Sequence, residues 1–240
     1  MPYGYYGYYG YYWDPTYLLV VIGALLCMGA SILVNSTMSK YQKVRNSTGL
    51  TGAEAAQRIL HYEGIYDVRV ECLQDSRGDH YDPRDKTVRL SYDVYHNPSV
   101  TAVGVAAHEC GHAIQHAKGY APLSIRSSLA PVASIASSLG IPLIFLGLLL
   151  GGSHTLIQIG IWAFVLAVLF QLVTLPVEFN ASHRAVTKIS QYGLLSEQEN
   201  TGCKKVLTAA ALTYVAAAAS SILQLLRLVL LFGGGSRRDD

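Results

Sequence analysis

Three histidines recur at four-residue steps in the stretch AAHECGHAIQH, at His108, His112 and His116. The first five letters after the alanines, His108-Glu109-Cys110-Gly111-His112, match H-E-x-x-H. Residues four apart on a helix share a face, so two imidazoles can grip one zinc ion while the Glu beside the first reaches an attacking water. That is the equipment of metal-assisted hydrolysis. His116 cannot join the pair: eight residues from His108 is a rise of about 12 Å, against zinc–nitrogen bonds of about 2 Å. It is expected on the polar face or in support behind the ligands. The longer pattern H-E-x-x-H-x-x-G-x-x-H also fails, with Gln115 at the glycine position and Lys118 at the last histidine. Cys110 lies about 200° round the helix from His108 and is expected as a buried thiol, not a ligand. Gly111 leaves room for a close neighbour.

A catalytic zinc takes three protein ligands and keeps one position open. The third must come from outside the repeat, and the chain offers His154, Glu178, His183, Glu197, Glu199, Asp239 and Asp240 downstream. Which of them can reach depends on the elements that carry them.

Of the 240 residues, 51% are hydrophobic and only 14% charged, whereas about a quarter of a soluble chain is charged. Mean hydropathy is +0.28. This is the composition of an integral membrane protein. A spanning helix needs roughly 20 apolar residues, and such runs occupy 17–34, 129–150 and 156–177. The first has no basic residue before it and no clear cleavage site after it, so it is expected as an anchor, not a signal peptide. The second carries Pro131 and Pro142, which spans tolerate, and the short GGSHT loop makes the pair a hairpin over 129–177. A fourth run, 206–232, is milder and is interrupted by Gln224 and Arg227; it is expected to span or to lie at the interface. The expected class is mainly α, with three to four transmembrane helices.

Loop charges orient these runs. Lys40, Lys43 and Arg45 follow the first; Arg184, Lys188, Lys204 and Lys205 follow the third; residues 1–16 hold no Lys or Arg. By the positive-inside rule the Tyr/Gly-rich tail 1–16 is extracytoplasmic, while 35–128 and 178–205 face the cytoplasm, and 233–240 is a polar tail. In the leader, Tyr11, Tyr12, Trp13 and Tyr17 are expected at headgroup level. His154 then stands at the wrong membrane face, and Glu197 and Glu199 read as surface charge. Glu178, in LPVEFNASHRAV directly after the third run, is on the side of the histidines. A carboxylate at a span end is costly unless solvated, paired or functional. Glu178 is the leading third donor, with His183 as runner-up and a plain Glu178–Arg184 pair as the bland alternative.

Segment 35–128 has the character of a small α+β domain. Thr51 to Glu54 (TGAE) is a capping box that opens a helix ended by Gly64. Residues 68–73 alternate as a strand, a polar turn surrounds Asp82-Pro83, and 87–91 (TVRLS) alternate again. A second helix runs from about Ser99 through the histidines to Lys118, with Gly119 as its C-terminal cap and AVGVAA as its buried back. TVRLS is expected as an edge on which an extended peptide could add a strand.

A net charge of +2 with no basic run before the last few residues excludes a nucleic-acid footprint. Cys27, Cys72, Cys110 and Cys203 show no C-x-x-C spacing, so neither a zinc knuckle nor a disulfide framework is indicated.

HECGH followed by EFNAS after a two-span hairpin resembles the YugP-like membrane zinc metallopeptidases, which are similar to the HtpX and CAAX prenyl protease group. LTGAEAAQRIL, DHYDPRDKTVRLS, VAAHECGHAIQHAKGYAP, LPVEFNASHRA and LTAAALTYVAAA carry the resemblance, in order, over nearly everything from Leu50 to Ala219. It implies a zincin-like domain, zinc held by His108, His112 and Glu178, and Glu109 as catalytic acid and base. HtpX-like enzymes place an acidic residue four after the ligand Glu, where this chain has Ser182. Ser182 or Asn180 is then expected behind the zinc histidines, and His183, Arg184 or a tyrosine as oxyanion donor.

The function expected is zinc-dependent endopeptidase activity at the cytoplasmic face of the cell membrane, on peptides or membrane proteins, in quality control or processing. The partners are substrate and lipid bilayer. An intramembrane protease with an Asp-Gly ligand pair is disfavoured, because no Asp-Gly occurs. A non-catalytic scaffold or metal-sensing module would have no use for Glu109 beside its ligand.

Overall fold

The computed structural model describes residues 14–74 and 78–233. The aromatic leader expected at headgroup level, apart from Tyr17, and the polar residues 234–240 lie outside that description. The elements in chain order are α1 (Tyr17–Gln42), α2 (Gly52–Tyr62), β1 (Arg69–Cys72), β2 (His80–Asp82), β3 (Thr87–Leu90), α3 (Tyr92–His96), α4 (Val100–Ala117), α5 (Ala121–Leu149), α6 (His154–Gln191) and α7 (Glu197–Phe232).

Four helices, α1, α5, α6 and α7, are long and apolar enough to cross a membrane. Their outer faces expose large apolar side chains such as Leu25, Phe145, Trp162 and Leu230, as helices surrounded by lipid do. The doubtful fourth run is among them. Its interrupting Arg227 donates to Thr16 Oγ1 at 3.2 Å, lies 3.6 Å from Asp14 Oδ2 and covers the Tyr17 ring at 4.3 Å. That cation therefore closes the far end of the α1–α7 pair. From Lys205 to Arg227 is a rise of about 33 Å, close to the roughly 30 Å hydrocarbon core.

α1 and α7 run antiparallel along their length. Cys27 Sγ reaches the Ala216 carbonyl at 3.7 Å, a Cβ on Gly23 would meet Ser220 Oγ at 2.6 Å, and one on Gly202 would meet the Tyr41 ring at 2.5 Å. α5 and α6 form the hairpin across a loop whose Gly151 and Gly152 both have positive φ. Ile144, Ile157, Ile161 and Leu228 lock that hairpin to α7.

Between α1 and α5 stands the small α+β layer. Both halves of the Thr51–Glu54 capping box form, and Gly64, at φ +71°, ends that turn of chain. The three strands order as β1-β3-β2. β3 pairs with β1 in parallel, Val70 opposite Val88, and with β2 antiparallel, Tyr81 opposite Val88. This corrects the expectation for TVRLS: it is the central strand, its backbone groups used on both sides, and the edges are β1 (Arg69–Cys72) and β2 (His80–Asp82), the latter beside the histidine helix. Three residues are too few to show an alternation, so β2 left no pattern to read.

The core shows why the layer does not stand apart from the membrane helices. Leu50, Ile59, Val88, Leu90, Val103 and Ile114 pack with Ala185, Ile189 and Leu194 from the end of α6 and its exit, and with Cys203 and Leu207 of α7. α6 runs unbroken past Val177 to Gln191, so the residues after the third apolar run ride on the same rigid helix.

Glu63, just past α2, clamps this junction. Its side chain is 5% exposed and lies 2.5 Å from Lys188 Nζ of α6 and 2.9 Å from Lys118 Nζ after α4, and it accepts from the Tyr192 hydroxyl at 2.6 Å. Burial raises this carboxyl, but the bonds from Lys188, Tyr192 and Lys118 outweigh it and hold Glu63 down at about 2, against an ordinary 4.5. A depressed folded-state value means stability that is complete above pH 4.5 and is lost as pH falls from there towards about 2. Glu63→Gln is expected to cost roughly 2 kcal/mol near neutrality, and to remove part of the acid-dependent fall in melting temperature over that window, measured on the purified protein.

Candidate active site

The helix that carries His108 and His112, α4, is placed by its ends and its back. The Ser99 hydroxyl accepts from the Ala102 amide at 3.1 Å, and Gly119, at φ +61°, lets the Tyr120 amide return to the Gln115 carbonyl at 2.9 Å. Val100, Val103, Ala106, Ala107, Cys110 and Ala113 are buried. Cys110 is the structural thiol expected: fully buried, its Sγ 3.6 Å from the Ala56 carbonyl, with burial pushing its pKa upward.

The neighbour for which Gly111 leaves room is α6. A Cβ on Gly111 would lie 2.6 Å from the Ala181 carbonyl oxygen, which is backbone and cannot swing aside. At that crossing, His108 and His112 of α4 meet Glu178 and Ser182 of α6. One ligand atom each from His108, His112 and Glu178 lies within 4.8 Å of the others. His108 Nε2 is 3.3 Å and His112 Nε2 3.7 Å from Glu178 Oε2. Glu178 is 3% exposed, yet Oε2 has no hydrogen-bond partner.

The ring nitrogens turned away from this focus are engaged. His108 Nδ1 meets Ser182 Oγ at 3.1 Å, and His112 Nδ1 meets Gln115 Oε1 at 3.0 Å. The second contact can be assigned a direction. Arg184, which has only donors, donates to Asn180 Oδ1 at 2.7 Å, and Gln115 Nε2 donates to the same oxygen at 3.0 Å and to the Val177 carbonyl at 2.8 Å. The Gln115 amide is thereby fixed with Oε1 as acceptor, so His112 Nδ1 carries the proton and Nε2 keeps its lone pair. Ser182 thus touches a histidine directly, while Asn180 and Arg184 reach the other through Gln115. Sequence inspection had met Gln115 only as a mismatch to a longer motif.

His183 is exposed on another face of α6, five residues and about 140° from Glu178. His116 is exposed as well, and its Nδ1 bonds the Tyr81 hydroxyl at 2.8 Å, tying β2 to α4. His154 begins α6, about 36 Å along the helix from Glu178.

Two cavities flank the triad. One, of about 170 Å³, is lined by His80 and Pro83 from the β2 edge, by Arg126 and Ser127 of α5, and by the triad. The other, of about 190 Å³, is closed by Met38, Val105, Leu207, Ala210 and Ala211. Asp79, Glu109 and Tyr214 border both. Glu109 is 7% exposed; burial, the largest influence, raises its carboxyl above the ordinary value although the two imidazoles pull it down. Arg126 Nη2 is 3.6 Å from Glu178 Oε1, which leaves Oε2 as the oxygen facing the histidines. Arg126 and Tyr214 were not singled out by motif. Their signal is faint: a lone cation early in an apolar helix, and a lone phenol in an alanine-rich run.

Two imidazole nitrogens, the lone pair of His112 Nε2 among them, and one buried carboxylate oxygen without a partner are a donor set suited to zinc. The residues 16–233 match the family described as "Putative neutral zinc metallopeptidase", and the chain belongs to that family. It is also 50% identical over 200 residues, 83% of this chain and 88% of the relative, to the "Putative membrane protease YugP" of Bacillus subtilis (strain 168). No solved structure matches it.

The α4–α6 crossing gives a direct test. Gly111→Ala is expected to push the helices apart, costing roughly 1–3 kcal/mol, and to lower the zinc content of the purified protein. Unchanged zinc and melting temperature would mean that the close approach does not set the site.

Proposed function

We propose that this membrane zinc metallopeptidase is an endopeptidase that hydrolyses peptide bonds in membrane proteins or peptides at the cytoplasmic membrane surface, in quality control or processing. The observation that carries the reading is the buried, unpartnered Glu178 Oε2 facing two imidazole nitrogens, with Glu109 bordering the same space. Orientation is supported by charge: Lys40, Lys43, Arg45, Arg184, Lys188, Lys204 and Lys205 all lie towards the end of the bundle that carries the site.

His108, His112 and Glu178 would hold the zinc, which when bound supplies a Lewis acid that polarises a peptide carbonyl and acidifies water. The chain's own groups do the rest. An extended substrate adds antiparallel or parallel to the free edge of β2, which brings its backbone past His80 into the cavity. Glu109, kept basic enough by burial, takes a proton from the attacking water and delivers it to the leaving amine. Tyr214, on the opposite wall, donates its hydroxyl hydrogen to the carbonyl oxygen as that oxygen gains charge. Arg126 holds the outer oxygen of Glu178 and fixes the carboxylate's orientation. The cavity ringed by Met38, Leu207, Ala210 and Ala211 receives an apolar substrate side chain.

Glu109→Gln is expected to retain fold and zinc while cleavage of an offered membrane substrate falls on the order of 10³-fold. Tyr214→Phe is expected to retain zinc and lose about 10²-fold in kcat. Full activity in Glu109→Gln would overturn the proposed chemistry.

A further inference from the structure

Away from the metal site, a groove of about 610 Å³ runs between α1 and α7, lined by residues from Leu33 to Tyr41 and from Thr201 to Leu212. It occupies a different face of α7. Leu207, Ala210, Ala211 and Tyr214 turn to the catalytic cavity, and Lys204, Lys205, Thr208 and Leu212 lie well over 100° away from them on average by helical spacing.

The groove is graded along its length. Because α1 and α7 are antiparallel, Leu33 and Leu212 mark one end and Lys40, Lys204 and Lys205 the other. The hydroxyls of Ser36, Thr37 and Thr208 fall between. The apolar run of α1 ends at Val34, so the Lys40 backbone stands about 9 Å beyond it, just past a headgroup layer of about 5–7 Å, and its long side chain reaches back to the phosphate level. All three lysines are exposed, and none makes an ion pair among the described residues. Lys40 instead leans on the Tyr41 ring at 5.5 Å. An occupant must therefore be anionic at one end, hydrogen-bonding in the middle and apolar at the other, in the orientation and at the depth of the leaflet itself.

We propose that this groove binds an anionic phospholipid, with its phosphate among Lys40, Lys204 and Lys205, its glycerol ester region on Ser36, Thr37 and Thr208, and an acyl chain along Leu33 and Leu212. A lysine near an anionic lipid surface contributes about fivefold in affinity, so the three together contribute on the order of 10²-fold.

The test is native mass spectrometry of the full chain released from vesicles of equal parts phosphatidylcholine and phosphatidylglycerol. The wild type is expected to retain phosphatidylglycerol. The Lys40→Gln, Lys204→Gln, Lys205→Gln triple variant is expected to lose it by on the order of 10²-fold. Leu212→Trp, which fills the apolar end without altering charge, is expected to weaken it as well. A control with Lys43→Gln, Arg58→Gln and Lys86→Gln removes the same charge elsewhere and is expected to bind as wild type. The proposal is overturned if the control loses lipid equally, since surface charge alone would then explain retention. It is also overturned if the groove variants keep their lipid, or if excess inorganic phosphate displaces the lipid, which would make this a simple anion site.

Discussion

The rest of the structure is arranged around one close contact, backbone against backbone, where Gly111 of α4 meets Ala181 of α6. Without a side chain at Gly111 the two helices approach until a carboxylate on one stands among two imidazoles on the other. A buried carboxylate oxygen without a partner is costly, and the fold supports it here with the packing of α4 on α6 and α7 and with the Glu63 clamp at the other end of the same helices. A cation bound at that focus would offset the cost, and the helix contact makes the focus available.

The membrane helices are therefore part of the site's construction, beyond serving as its anchor. α6 enters as the second arm of a hairpin, crosses, and continues without a break to present Glu178, Asn180 and Ser182 to α4, with Arg184 behind them on Asn180. A continuous α-helix lends those four residues a fixed spacing, and they divide the labour. One turns a carboxylate oxygen to the two imidazoles, one bonds His108, and two polarise the Gln115 amide that sets the tautomer of His112. α7 supplies Tyr214 and the apolar wall on the remaining side.

Much of this was legible in the amino-acid sequence because the signals are local. H-E-x-x-H is a statement about one helical face, the Thr51–Glu54 box about one helix end, and apolar runs about the bilayer. Glu178 was legible because a carboxylate at the end of a span is conspicuous. Gln115, Arg126 and Tyr214 were not, because each matters only through what a distant element brings to it: Val177 and Asn180 for Gln115, Glu178 for Arg126, the cavity for Tyr214. The edge assigned to TVRLS failed for a related reason. Alternation marks a strand but carries no word on which neighbours flank it, and the flanking β2 is three residues long. His183 stood as runner-up to Glu178 only while the helix phase of α6 was unknown.

The central claim is that the third donor comes from Glu178, delivered across the membrane hairpin. Zinc content of the purified full chain, measured by atomic absorption for wild type, Glu178→Ala and His183→Ala, tests it directly. The account predicts that Glu178→Ala loses most of its zinc while His183→Ala matches wild type; zinc retained in Glu178→Ala, or lost in His183→Ala, would contradict it.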